Sequence, residues 1–270
     1  MSMLSAYERK QHEHLRRWQA KPPDLGSRLL SKPTGMAGRV MQAVIPESAL
    51  EAALNGAGSV ALKLSDHSSI LKRAGVSELA ALREQPLEVC DNLARNQARI
   101  AMAMGGISGG VFGVAGAAGL VADVPTLLMG ALRTVHRVGL CFGEDASKHL
   151  MIGVFALASA STRDEKRAAV EALRTEGIDL PGAALRGGLE RAAERELAKE
   201  AAVFSLHTVA RRVSAQLGRR MAIGVVPVLG AAVGGAVNAW YVRDVAQTAQ
   251  YVFQDRWLMA KYPELRGNSE

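Results

Sequence analysis

Ser108, Asp123 and His136 are the residues whose types and order come nearest to a catalytic set. Gly106-Ile107-Ser108-Gly109-Gly110 fits the G-x-S-x-G pattern of a nucleophile elbow, and Asp123 and His136 follow in the serine, acid, base order of an α/β-hydrolase. In that chemistry His136 would take the Ser108 proton as the serine attacked an acyl carbon. The elbow needs a strand before its serine, yet Ala101 to Met104 is alanine and methionine. Between Ser108 and Asp123 there are also too few residues for the intervening sheet. The sequence therefore favours a structural serine between packing glycines and assigns no catalytic residue, with the triad as the weaker alternative.

Other chemistries find less support. No Gly-Lys-Ser or Gly-Lys-Thr follows the glycines of 105–119, so a phosphate loop is not indicated. His12 and His14 flank Glu13 instead of adopting H-E-x-x-H spacing, and side chains two apart on a helix do not converge on a metal. Cys90 and Cys141 suggest neither a disulfide scaffold nor a cysteine-rich metal site. No cofactor or metal is implied. Sequence-specific nucleic-acid binding is not expected either, because no helix-turn-helix, zinc-ligand pattern or aromatic-bearing sheet is visible.

The remaining candidates are charged groups beside apolar segments. Arg133, His136 and Arg137 are three or four apart on a predicted helix, a spacing that offers one face to an anionic headgroup or to neighbouring carboxylates. Asn238, Arg243 and Asp244 complete the ligand-binding candidates. Arg243 and Asp244 project in different directions, so each needs its own partner, and Asp123 is the expected one for Arg243.

These residues sit in a chain of 270 residues that is 49% apolar, 22% charged and only 4% aromatic, with 27 glycines. That mixture favours closely packed helices over a β-sandwich. The expected class is all-α, a multi-helix bundle around two Gly/Ala-rich apolar central helices. The first such segment, Ile100 to Ala122, has no charged residue in 23 positions, and the second, Met221 to Val242, has none in 22. Either is long enough to enter a bilayer. Gly105, Gly109 and Gly113 in the first, and Gly230 and Gly234 in the second, recur every four residues and form side-chain-free ridges for helix packing. Pro227 and the Arg243-Asp244 pair argue against a simple crossing by the second.

Helices are predicted at about 46–72, 77–99, 124–140, 145–160, 189–217 and 228–257. Asp123 is read as the N-cap of the third, with Pro125 in its first turn and a break near Ala122. Thr162 and Glu165 have the spacing of a capping box. The expected organisation is a basic amphipathic N-terminal arm at 1–45, a helical domain at 46–260 and a polar tail at 261–270.

The net charge of +7 is concentrated in the arm, where Arg9, Lys10, Arg16 and Arg17 alternate with Leu4, Tyr7 and Trp18. An amphipathic basic helix of this kind is suited to touch an anionic membrane surface. Glu8 and Arg9 precede any apolar run of the length an export signal needs.

Ala122-Asp123-Val124-Pro125-Thr126-Leu127-Leu128, Leu132-Arg133-Thr134-Val135, Leu140-Cys141-Phe142-Gly143 and Phe155 to Ala160 carry a resemblance. With Val226 to Asn238 and Tyr241-Val242-Arg243-Asp244 in that order and spacing, they resemble the EcsC family over roughly 46–258. The resemblance implies a bacterial protein, a founding member encoded beside an ABC-type exporter, and no defined reaction or transferable catalytic residue.

The expected role is a non-enzymatic, peripheral membrane or lipid-interacting helical protein at the cytoplasmic face of the bacterial membrane, with a link to export or envelope processes. A soluble scaffold binding a protein partner is the main alternative. Sequence leaves the oligomeric state open.

Overall fold

Ser5 opens the first helix, α1 (Ala6–Ala20), with a reciprocal capping box. Its hydroxyl accepts the Glu8 amide at 3.1 Å while its own amide donates to the Glu8 carboxylate at 2.7 Å. The computed structural model describes residues 4–23, 51, 53–54, 56, 67–113, 116–160, 162–175, 209 and 230–266. Seven further helices follow among the described residues: α2 (Ser68–Ala74), α3 (Ala80–Arg83), α4 (Leu87–Gly113), α5 (Gly116–Cys141), α6 (Lys148–Ala158), α7 (Arg163–Thr175) and α8 (Gly230–Lys261). A 3-10 turn, Pro263–Arg266, comes after α8, and the described residues contain no strand. The protein is all-helical, as expected. The helix expected at 46–72 is described only in part, and that at 189–217 lies outside the described residues apart from Val209.

Several boundaries differ from the sequence reading for identifiable reasons. Pro86 does not interrupt a helix from 77 to 99 but stands at the start of α4, its carbonyl accepting the Val89 and Cys90 amides. α4 then runs on to Gly113 and takes up the first part of the uncharged segment. The break expected near Ala122 is absent, because α5 begins at Gly116 and passes through both Asp123 and Pro125. Asp123 is therefore not an N-cap. Pro125 costs α5 one amide hydrogen bond, while the neighbouring Val124, Leu127 and Leu128 are buried and hold the helix against the core. Among the described residues no helix is long and apolar enough to cross a membrane.

The Thr162–Glu165 capping box is present, with the Glu165 amide donating to the Thr162 hydroxyl at 3.1 Å and the Thr162 amide to the Glu165 carboxylate at 3.3 Å. At the other end of α5, Gly143 adopts φ +74°. Its amide donates to Leu140 O and the Glu144 amide to Gly139 O, the paired bonds of a Schellman motif. This turn points the chain from α5 back into α6.

α8 packs most extensively against α4, and α5 closes against both. Leu128, Leu132 and Val135 of α5, Phe155 of α6, and Val245 and Phe253 of α8 are fully buried in a common core. The α4–α8 contact is a backbone approach: a methyl group on Gly235 would lie 2.8 Å from the Gly106 carbonyl oxygen. Gly105 belongs to the same contact, where a methyl would meet Val242 at 3.0 Å. The surroundings of the expected Gly230 and Gly234 lie outside what is described, and Gly235 beside them makes the close approach on α8.

α1 is seated on this bundle. Leu15 is fully buried, and Leu4, Tyr7 and Trp18 pack against the core. The Tyr7 hydroxyl donates to Asp91 at 2.7 Å, and Asp91 also accepts from Gln250 at 3.1 Å and Gln254 at 2.5 Å. Burial raises the Asp91 carboxyl above its ordinary range; burial and the adjacent Asp91 together push the Tyr7 phenol up to about 12. Lys166, buried on α7, donates to the carbonyls of Trp18 and Lys21, placing a cation at the negative end of the α1 dipole.

Candidate functional site

Asp123 is a buried meeting point of three helices. Its carboxylate accepts the Ser108 hydroxyl of α4 at 2.6 Å and the Asn238 side-chain amide of α8. The expected Arg243–Asp123 pair does not form: Arg243 is solvent-exposed, and Asn238 takes that place. Asp244, half-buried, lines a separate cavity with His14, Trp18, Lys166 and Tyr251.

The serine, acid and base of the sequence pattern are not assembled. Gly106 to Gly110 is helical throughout, so Ser108 lacks the strand-to-helix turn that an elbow requires. His136 lies thirteen residues beyond Asp123 on α5, about 20 Å along the axis. It is buried, and its Nε2 pairs instead with Asp145 at 2.7 Å. Treatment with a fluorophosphonate probe is expected to leave Ser108 unmodified. Labelling that disappears in Ser108→Ala would reinstate the hydrolase reading.

Nor do the cysteines offer a nucleophile. Both are buried and free; desolvation pushes Cys90 up to about 12 and raises Cys141 further. Among the described residues no group of three or more His, Cys, Asp or Glu is arranged to hold a metal ion.

Arg133 and Arg137 do share a face of α5, one turn apart, whereas His136 turns away from them into its contact with Asp145. The two arginines line a cavity of about 360 Å³ between α4 and α5. Arg137 Nε donates to Gln97 Oε1 at 2.8 Å and its Nη2 to Ser69 Oγ at 3.0 Å, which sets the guanidinium at the Gln97 end. Ile100, Met104, Leu127 and Met129 supply apolar wall, while Gly130 leaves room beside it. Ser108 and Thr126 mark the opposite end.

Beside this cavity α4 presents an apolar stripe to solvent: Ile100, Met104, Ile107 and Val111 are 47%, 58%, 70% and 67% exposed. Their 4-3-4 spacing places them on one helical face. Sequence reasoning missed both features, Gln97, Met104 and Met129 among their residues. The stripe's periodicity was available, but apolar residues on every side of an uncharged segment hide which face remains uncovered.

Comparison with known proteins gives one curated relative to set beside the fold. It is an uncharacterized protein of Bacillus subtilis (strain 168), YdbA, 22% identical over 206 residues, covering 71% of this chain and 66% of that protein. No solved structure matches. The model of the EcsC protein family matches residues 9–258, reaching further toward the N-terminus than the sequence resemblance and taking in most of α1. With nearly the whole chain covered, this protein belongs to the EcsC family.

Proposed function

We propose that this protein is a non-enzymatic, peripheral, lipid-interacting helical protein at the cytoplasmic face of the bacterial membrane, acting in export or envelope processes. The observation that carries the reading is the stripe of Ile100, Met104, Ile107 and Val111, four large apolar side chains on one face of α4, each about half or more exposed. A row of this kind beside a cavity is suited to shallow insertion among acyl chains. The basic side of α1 supplies a second contribution. Its apolar residues Leu4, Tyr7 and Trp18 pack inward, but Arg9, Lys10 and Arg17 are exposed. Each basic residue held near an anionic surface adds roughly 1 kcal/mol of attraction.

Intact protein is expected to co-float with anionic vesicles and to be released as salt rises, because the attraction between exposed charges is screened. Replacing Met104, Ile107 and Val111 by serine should abolish flotation, and Arg9, Lys10 and Arg17 to glutamate should weaken it, both with helical content preserved. Substitution is the informative design here: deleting α1 would remove the buried Leu15 and the Tyr7 donor, exposing the core beneath and the Asp91 network. Intact protein that stays with the soluble fraction at low salt would defeat the membrane reading. The protein-binding scaffold, using the same stripe, would then be the better account.

A further inference from the structure

The geometry points to a binding site for one single-chain anionic amphiphile in the cavity between α4 and α5, its headgroup at Arg133 and Arg137 and its chain running toward Ser108 and Thr126. This deepens the lipid-interacting reading and rests on it.

Polarity along the cavity carries the inference. Arg137 meets Gln97 at one end, and Arg133 lines the cavity about one turn along α5 from it. From there Ile100, Met104, Leu127, Met129 and Val242 form an apolar wall. Gln97 and Ser108 lie eleven residues apart on α4, which sets a length of about 16 Å. A long apolar channel with a cationic end suits a chain carrying a single carboxylate or phosphate, since a guanidinium binds either through charge-assisted hydrogen bonds. The volume of about 360 Å³ is near the lower end of small-molecule sites, about 300 to 1,000 Å³, and suits one chain better than two. Ile100 and Met104 belong to both the cavity wall and the exposed stripe, so an amphiphile leaving a membrane surface would enter without crossing open water.

Gly130 makes the site testable without disturbing what surrounds it. It lines the cavity, and a methyl group built there meets nothing within 4 Å, so a larger side chain would fill the space the ligand needs. The experiment titrates full-length protein by calorimetry with monomeric dodecanoate and dodecyl phosphate, and with dodecanol and dodecyltrimethylammonium as controls. Both anions are expected to bind wild type with one site, and the two controls at least about tenfold more weakly. Gly130→Leu should lose the anions while keeping its helical spectrum and losing no thermal stability. Arg133→Gln should weaken them about tenfold and leave dodecanol within about twofold. Absence of anion binding by wild type, undiminished binding by Gly130→Leu, or equal binding of the cationic control would each overturn the proposal.

Vesicle flotation of the same variants separates this site from the membrane reading. Flotation without dodecanoate binding removes the cavity ligand and leaves surface association standing. Dodecanoate binding without flotation keeps the cavity, and the ligand is then a free amphiphile taken from solution.

Discussion

Gly143→Ala is expected to lower stability by about 2–5 kcal/mol, more than any other single methyl group in a series of four glycine-to-alanine replacements. Two costs coincide there. A residue with a Cβ at φ +74° is strained by roughly 1–2 kcal/mol. The new methyl would also lie 2.9 Å from the Arg83 amide nitrogen and 3.0 Å from the Leu79 carbonyl oxygen, and backbone cannot swing aside as a side-chain tip can. Gly75 isolates the first cost, since its φ is +70° but nothing lies within 4 Å of the added carbon, so Gly75→Ala should lose about 1–2 kcal/mol. Gly235 isolates the second. It sits inside α8, where alanine is the better helix former, yet its methyl would meet the Gly106 carbonyl oxygen at 2.8 Å, and a net loss of about 1–2 kcal/mol is expected. Gly130 carries neither cost, and Gly130→Ala should gain about 0.5–1 kcal/mol. Urea unfolding followed by circular dichroism reads all four. Equal losses at Gly143 and Gly75 would mean that α3 does not press on the turn after α5.

The packing glycines show where sequence reading succeeds and where it stops. A four-residue glycine interval on an apolar helix announces close packing, and Gly105 does lie in the α4–α8 contact. The interval does not say which side of the ridge the neighbour takes, and Gly106, one residue off the Gly105 register, meets Gly235 through its carbonyl. Capping boxes were legible where side chain and backbone close a local ring, as at Thr162 and Glu165. Asp123 was misread because an aspartate two residues before a proline has the local signature of an N-cap, while its actual partners come from α4 and α8, 15 and 115 positions away.

The amphipathic pattern of α1 had the same ambiguity on a larger scale. Leu4, Tyr7 and Trp18 form an apolar face whether a membrane or a core covers it, and only the positions of α4, α7 and α8 decide. Buried polar partners were equally out of reach: no local signal joins Tyr7 to Asp91, or Glu8 to Tyr262 at 2.9 Å. In α4 the faces themselves were indistinguishable. A wholly apolar segment can be buried or enter a bilayer, and nothing in its composition marks Ile100, Met104, Ile107 and Val111 as the open face. The candidate site therefore comes from the arrangement of neighbours around α4, and of the ligand-binding candidates marked by spacing Arg133 and Arg137 fall within it.

Asp123→Ala is the second replacement expected to have a large effect, a loss of about 2–4 kcal/mol, because it leaves two donors without their acceptor at the junction of α4, α5 and α8. Asn238 is only 5% exposed, so its amide cannot readily turn to water, and an unsatisfied buried donor costs more than the bond contributed. Ser108→Ala should cost less, about 1 kcal/mol, since it removes donor and bond together while Asn238 keeps its carboxylate. The double replacement tests the arrangement itself. With Asp123 already alanine, removing the Ser108 hydroxyl abolishes an unmatched group, so the second change should be near neutral or slightly stabilising. The pair should then be less damaging than the sum of the singles by about 1 kcal/mol or more. Denaturant midpoints for the four proteins of the cycle supply the measurement. Strict additivity would mean that Ser108 and Asp123 do not meet, and α4 and α5 would have to be joined by their apolar contacts alone.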